Sequence, residues 1–246
     1  MDFDYKYSSH TIDRHTSGNT HIGQRLVIRI IAVIKRRKLY DRFIAECPFG
    51  HILRETNHTA AGSVILWVLA REINVADARR DERWFEIGER SYRFGKQEFL
   101  LVTGLPFGGI DRKIFEIAPN DPNGLLGRMF NGVSPEVREL VTFLERRSDR
   151  GEGDRAGQDP IDDEDLLKLA NVGIAFHLFM GLDDRASIYP FMWVLIESTE
   201  RWKTFPWGTL CYSVLLHCLD KALNEERVRN PPKTINIYGY VLAFQV

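Results

Sequence analysis

The sequence predicts an α+β chain, mainly α-helical, with a helical core and a small β-hairpin packed on it. Three observations carry this. Apolar residues recur at helical spacing in several separate stretches. One stretch, residues 83–94, instead alternates around Gly88-Glu89. The chain has 246 residues, 44% of them hydrophobic and 27% charged, which is enough to bury a sizeable core.

Residues 1–21 are polar and are expected to form a disordered tail. One globular domain is expected over residues 22–246. Residues 22–45 read as a helix, with Leu26, Ile30, Ile34 and Phe43 on its apolar stripe. Pro48 stops it, because proline cannot continue a helix and disfavours helix at Cys47. Residues 60–73 read as a second, strongly buried helix containing Val64, Ile65, Trp67 and Ile73. Residues 83–87 and 90–94 read as strands joined by Gly88-Glu89. Glycine at the first turn position suits a type II′ turn and sets Phe85 opposite Tyr92. Residues 96–103 read as a short helix closed by Gly104, with Pro106 just beyond.

Residues 107–132 are rich in glycine, proline, asparagine and aspartate and read as loop. Ser134-Pro135 is expected to open the next helix, with Ser134 as its cap and Val137, Leu140, Val141 and Leu144 buried. Residues 148–165 are acidic and glycine-containing and read as a mobile surface loop. A core helix follows at 166–182. Residues 191–197 fit either strand or helix. Residues 207–223 carry a near-continuous helical stripe through Cys211, Leu215, Cys218 and Leu219. A last apolar segment runs from 235 to 246.

The chemistry-bearing residues are sparse. Net charge is −1, so no global field draws the chain to nucleic acid or an anionic membrane. Three cysteines, Cys47, Cys211 and Cys218, are too few and odd in number for a disulfide framework, which fits an intracellular setting. Cys211 and Cys218 fall on an apolar helix stripe, where a thiol behaves as a small hydrophobe. No histidine pair has zinc-helix spacing, no C-x-x-C occurs, and no glycine-rich phosphate loop is present. No catalytic residue, cofactor-binding residue or metal ligand is therefore assigned. The acidic run Asp162 to Asp165 reads as favourable charge at a helix N-terminus. The one suggestive charge pattern is a basic helix face, Arg25, Arg29, Lys35, Arg36, Arg37 and Lys38, continuing to Arg42. It suits phosphate contact or nuclear import, against the plainer reading of a solvated helix face.

Four stretches, read together, carry a family resemblance. They are F-G-H-I-L with A-G-S-V-I-L-W-V-L-A-R-E-I; W-F-E-I-G-E-R-S-Y-R-F-G-K-Q-E-F-L-L-V-T-G-L; D-L-L-K-L-A; and F-P-W-G-T-L-C-Y with I-Y-G-Y-V-L-A-F-Q. Their order and spacing resemble the plant domain of unknown function numbered nineteen eighty-five, over about residues 22–246. The resemblance implies a plant protein related to Mutator-like transposons, in which such a domain precedes a ubiquitin-like-protein protease domain. It implies an accessory part, and it carries over no catalytic residue. Thr209 stands where a basic residue is common, and Val241 where proline is usual. The chain stops at Val246 where relatives continue, so the domain is expected to be cut short there.

The expected function is a non-catalytic accessory or interaction domain with an unidentified protein partner and no cofactor. Nucleic-acid binding through the basic helix is the alternative, and is expected to be weak. A fragment of a cysteine protease ranks last, because no cysteine here is followed by glycine. No membrane contact is expected. The expected location is intracellular, with the nucleus following if the basic run is an import signal.

Overall fold

In the computed structural model, helices dominate and, among the described residues, strands occur only as pairs, so the chain is α+β and mainly α-helical. The structure describes residues 4–6, 17–20, 24–54, 62–148, 161–181, 183–222, 234–237, 240 and 243. The elements in chain order are β1 Ser17–Thr20, α1 Gln24–Arg36, α2 Tyr40–Glu46, α3 Gly50–Leu53, α4 Gly62–Leu69, β2 Arg83–Ile87 and β3 Arg90–Phe94. Then come α5 Lys96–Thr103, a 3₁₀ turn Arg112–Glu116, α6 Leu125–Phe130, α7 Val137–Ser148 and α8 Asp163–Ile174. A π-helical turn Ala175–Phe179, α9 Pro190–Ile196, α10 Thr199–Thr204, α11 Trp207–Ala222 and β4 Thr234–Ile237 complete the order. The described residues form two compact units. One takes its residues from 1–22, 58–108 and 206–246, the other from 23–57 and 109–205.

The first unit is built around the hairpin, α5 and α11. β2 and β3 pair antiparallel with Phe85 opposite Tyr92, as the alternation predicts. The turn differs from the expected type II′. Gly88 and Glu89 both have positive φ, 58° and 65°, which makes a type I′ turn. Glu89 tolerates this because its N–H donates to the Glu86 carboxylate at 2.8 Å. α4 stops at Leu69, short of the expected Ile73. The backbone beyond is needed elsewhere: the Ile73 N–H donates to the Trp84 carbonyl, and the Glu86 N–H to that of Arg71. Val64 and Trp67 are half exposed rather than buried; Ile65, Leu66 and Leu69 face inward.

α5 keeps its predicted bounds, and Gly104 closes it in the left-handed conformation at φ 62°. Its N-terminus is fixed by Glu98, whose carboxylate accepts the Gly95 N–H at 2.8 Å. Phe99 is fully buried and meets the Tyr212 ring of α11 at 5.4 Å. Phe94 and Phe107 complete the cluster around Tyr212 at 6.0 and 6.1 Å. Tyr212 also donates its hydroxyl to the Asp81 carbonyl. The close approach explains the glycine of the P-W-G element: a Cβ at Gly208 would lie 2.6 Å from the Leu105 carbonyl oxygen. Part of the expected tail is ordered, because β1 pairs parallel with β4 and Tyr5 forms a bridge with Ile73.

The second unit packs α1, α7 and α8 on one another. Ile30, Ile34, Leu140, Val141, Leu144, Leu166 and Leu169 are all buried. Gly173 lets the three helices close up, since a Cβ there would meet Ile30 and Leu140 side-chain atoms at 3.0 and 3.1 Å. The single helix expected over residues 22–45 is two helices. Lys38 takes the left-handed conformation at φ 59°; the Leu39 N–H then donates to the Ile34 carbonyl and the Lys38 N–H to that of Lys35. This is a Schellman ending with lysine where glycine is usual, which is why the sequence hides it.

Three further expectations change here. The 107–132 stretch contains the 3₁₀ turn and α6 as well as loop. Ser134 does not cap α7. It accepts from the Trp193 indole at 2.8 Å and donates to the Ile188 carbonyl at 2.6 Å, while the Glu139 carboxylate reaches back to the Glu136 N–H. Of the expected acidic loop, Ser148 ends α7, Ile161 is buried and Asp163 to Asp165 begin α8; residues 149–160 lie outside the described residues. Residues 191–197 resolve as helix, α9. The core helix at 166–182 continues past α8 as the buried π-helical turn, where Phe179 stacks on Phe49 at 4.1 Å.

Candidate functional site

The basic face singled out by the sequence lies on α1 and the turn after it, and most of its cations are engaged within the second unit. Arg29 grips Glu145 of α7 through two hydrogen bonds of 2.7 and 2.6 Å. That pairing raises the Arg29 guanidinium pKa and lowers the Glu145 carboxyl below its usual range. Arg36 reaches the Ser148 hydroxyl at 3.4 Å. Arg37 is the least expected of the set. Its side chain is only 5% exposed, and it binds both the Ile161 carbonyl and the Asp163 carboxylate. Arg42 on α2 pairs with Glu46 and with Glu164.

Lys35 lies over the Tyr40 ring at 4.7 Å, a cation–π contact. Arg25 and Lys38 are exposed and make no ion pair among the described residues. The six residues are therefore not brought together as one free phosphate-binding surface. Arg29 and Arg36 face α7, Arg37 faces the start of α8, and the rest point to solvent or a ring.

The acidic run at the head of α8 is the other half of this arrangement. Asp162 caps the helix by accepting the Asp165 N–H at 2.8 Å. Asp163 and Glu164 take Arg37 and Arg42. Asp165 turns inward, 4% exposed, and receives Arg128 of α6 through bonds of 2.5 and 2.8 Å. The expected helix-dipole role is thus joined by three specific ion pairs. The Arg128–Asp165 pair escaped the sequence reading because Arg128 sits in a stretch that looks like loop.

Burial pushes the Cys47 thiol up to about 12, and pushes Cys211 and Cys218 up as well. Cys47 and Cys211 are buried, and all three are free. His177 is buried in the π-helical turn and His217 is exposed on α11. Among the described residues, no group of three or more histidine, cysteine, aspartate or glutamate side chains is placed to hold a metal ion. No helix there is long and apolar enough to cross a membrane. No family model, curated protein or solved structure matches the chain.

Proposed function

We propose that the chain is a non-catalytic interaction module acting on a protein partner, the accessory kind of domain that its resemblance to the plant transposon-associated family implies. The observation that carries this reading is the state of the thiols. A cysteine nucleophile needs an accessible thiolate with a base in reach, and burial pushes the Cys47 thiol up to about 12, which disfavours the thiolate near neutral pH. The internal pairing of Arg29, Arg37 and Arg42 supports a protein partner over a nucleic acid. Nucleic-acid binding stays as the second reading because Arg25, Lys35, Arg36 and Lys38 remain exposed. The same exposed lysines make the run an import-signal candidate, and the proposed setting is intracellular, in the nucleus if that signal is read.

The test uses the full chain with ubiquitin-like-protein precursors and a thiol-alkylating reagent. No precursor is expected to be cleaved. Cys47 and Cys211 are expected to alkylate at least about a hundredfold more slowly in the native chain than in denaturant, as burial of the thiolate requires. Cleavage that disappears in Cys47→Ser or Cys211→Ser would overturn the reading.

A further inference from the structure

The second unit contains a cleft of about 380 Å³ between α9 and the strap of residues 117–124. That size lies in the range of about 300–1,000 Å³ found for ligand pockets. Ile117, Pro119, Leu126, Trp193 and Val194 give it apolar walls. Its two charged lining residues are Asp121 and Glu197, both carboxylates, and no cation lines it.

The fold holds these groups in place. The 3₁₀ turn is pinned on α9 by Phe115, whose ring meets Phe191 edge-on at 4.9 Å. The strap then runs past α9 into α6. Asp121 accepts the Asn123 N–H with Oδ1 at 2.9 Å, and Glu197 accepts the Leu125 N–H with Oε1. Each carboxylate keeps a second oxygen, Asp121 Oδ2 and Glu197 Oε2, with no hydrogen-bond partner among the described residues. Two cations stand near Glu197 without bonding its carboxylate, although Arg128 is close enough to interact with it electrostatically. Arg128 is held by Asp165 and the Asn123 carbonyl, and Lys168 reaches the Glu197 backbone carbonyl at 3.3 Å. Phe115 and Ile117, 43% and 44% exposed, extend the apolar surface beyond the mouth.

We propose that this cleft receives a basic side chain of a partner polypeptide, an arginine or lysine flanked by apolar residues. The methylene stem of such a side chain covers the apolar walls while its head meets the two spare carboxylate oxygens. The flanking apolar residue rests on Phe115 and Ile117. This names the partner chemistry of the interaction module and rests on that reading. The two fail separately: precursor cleavage by the thiols removes the module, whereas the peptide result below removes only the cleft.

The experiment titrates the isotope-labelled full chain with a blocked five-residue peptide, alanine-leucine-arginine-leucine-alanine. The matching peptide with glutamine in place of arginine, and free agmatine, serve as comparisons. The arginine peptide is expected to shift the amides of residues 117–126 and the Trp193 indole signal, and to bind about tenfold more tightly than the glutamine peptide, as loss of a charge-assisted pair implies. Asp121→Asn and Glu197→Gln keep the internal acceptor oxygens and are each expected to weaken the arginine peptide several-fold with an unchanged thermal midpoint. Equal binding of the two peptides, shifts confined to other residues, or full affinity in both variants would overturn the proposal. Agmatine binding as tightly as the peptide would also overturn it, because the cleft is then a small-amine site and not a docking site.

Discussion

Replacing Arg128 with alanine is expected to destabilise the second unit by about 3 kcal/mol, the lower end of the range for breaking a buried ion pair from one side. Asp165 is the buried partner, with its side chain 5% exposed against 41% for Arg128. Removing the guanidinium leaves a carboxylate without its two strong donors in a site that water reaches poorly. The exposed head of Arg128 sets the lower end, because some of its pairing energy is already lost to solvent. Urea unfolding followed by near-ultraviolet circular dichroism measures the loss. Changing both partners together, Arg128→Met with Asp165→Leu, is expected to recover most of it, since the cost lies in the orphaned charge and not in the absence of the pair. A loss below about 1 kcal/mol for the single change would show that Asp165 is hydrated.

Phe99→Ala is expected to cost about 3–4 kcal/mol in the first unit, within the range for truncating a buried aromatic. Its ring is fully buried against Tyr212 and Phe107, at 5.4 and 6.1 Å. α5 has only eight residues, too few to persist without that contact. Leu101 provides the internal comparison. It sits two residues further along the same helix and is 84% exposed, so Leu101→Ala is expected to change stability by no more than about 0.5 kcal/mol. Urea midpoints of the two variants, compared with the unaltered chain, measure the difference. Equal losses would mean that α5 is held by its capping and not by its buried face.

The contrast between these residues also marks what the sequence made legible. α5 was readable to the residue because its signal is local: Gly104 closes it, with Pro106 just beyond. The hairpin register was readable for the same reason. Failures came where a distant partner decided. Lys38 ends α1 in a conformation that lysine seldom adopts, and nothing nearby in the sequence announces it. Ile73 looks helical but its backbone is taken by Trp84, eleven positions away. Ser134 looks like a cap but serves the Trp193 indole. The basic face was legible as a pattern of charge. Its use was not, because Glu145, Asp163 and Glu164 lie more than a hundred positions from the arginines they hold.

The central proposal is that most of this basic face is engaged internally and that the chain acts on a protein partner and not on nucleic acid. The most direct measurement is the salt dependence of binding to duplex DNA. Four exposed cations of this face, Arg25, Lys35, Arg36 and Lys38, limit its log–log slope to about 3.6, at about 0.9 per phosphate neutralised. The account predicts a slope no steeper than that at low salt and no binding near physiological salt. A slope near 5, as six contacting residues would give, contradicts it. The contradiction is complete if binding is also sub-micromolar and is lost when Lys35, Arg36, Arg37 and Lys38 are changed to glutamine.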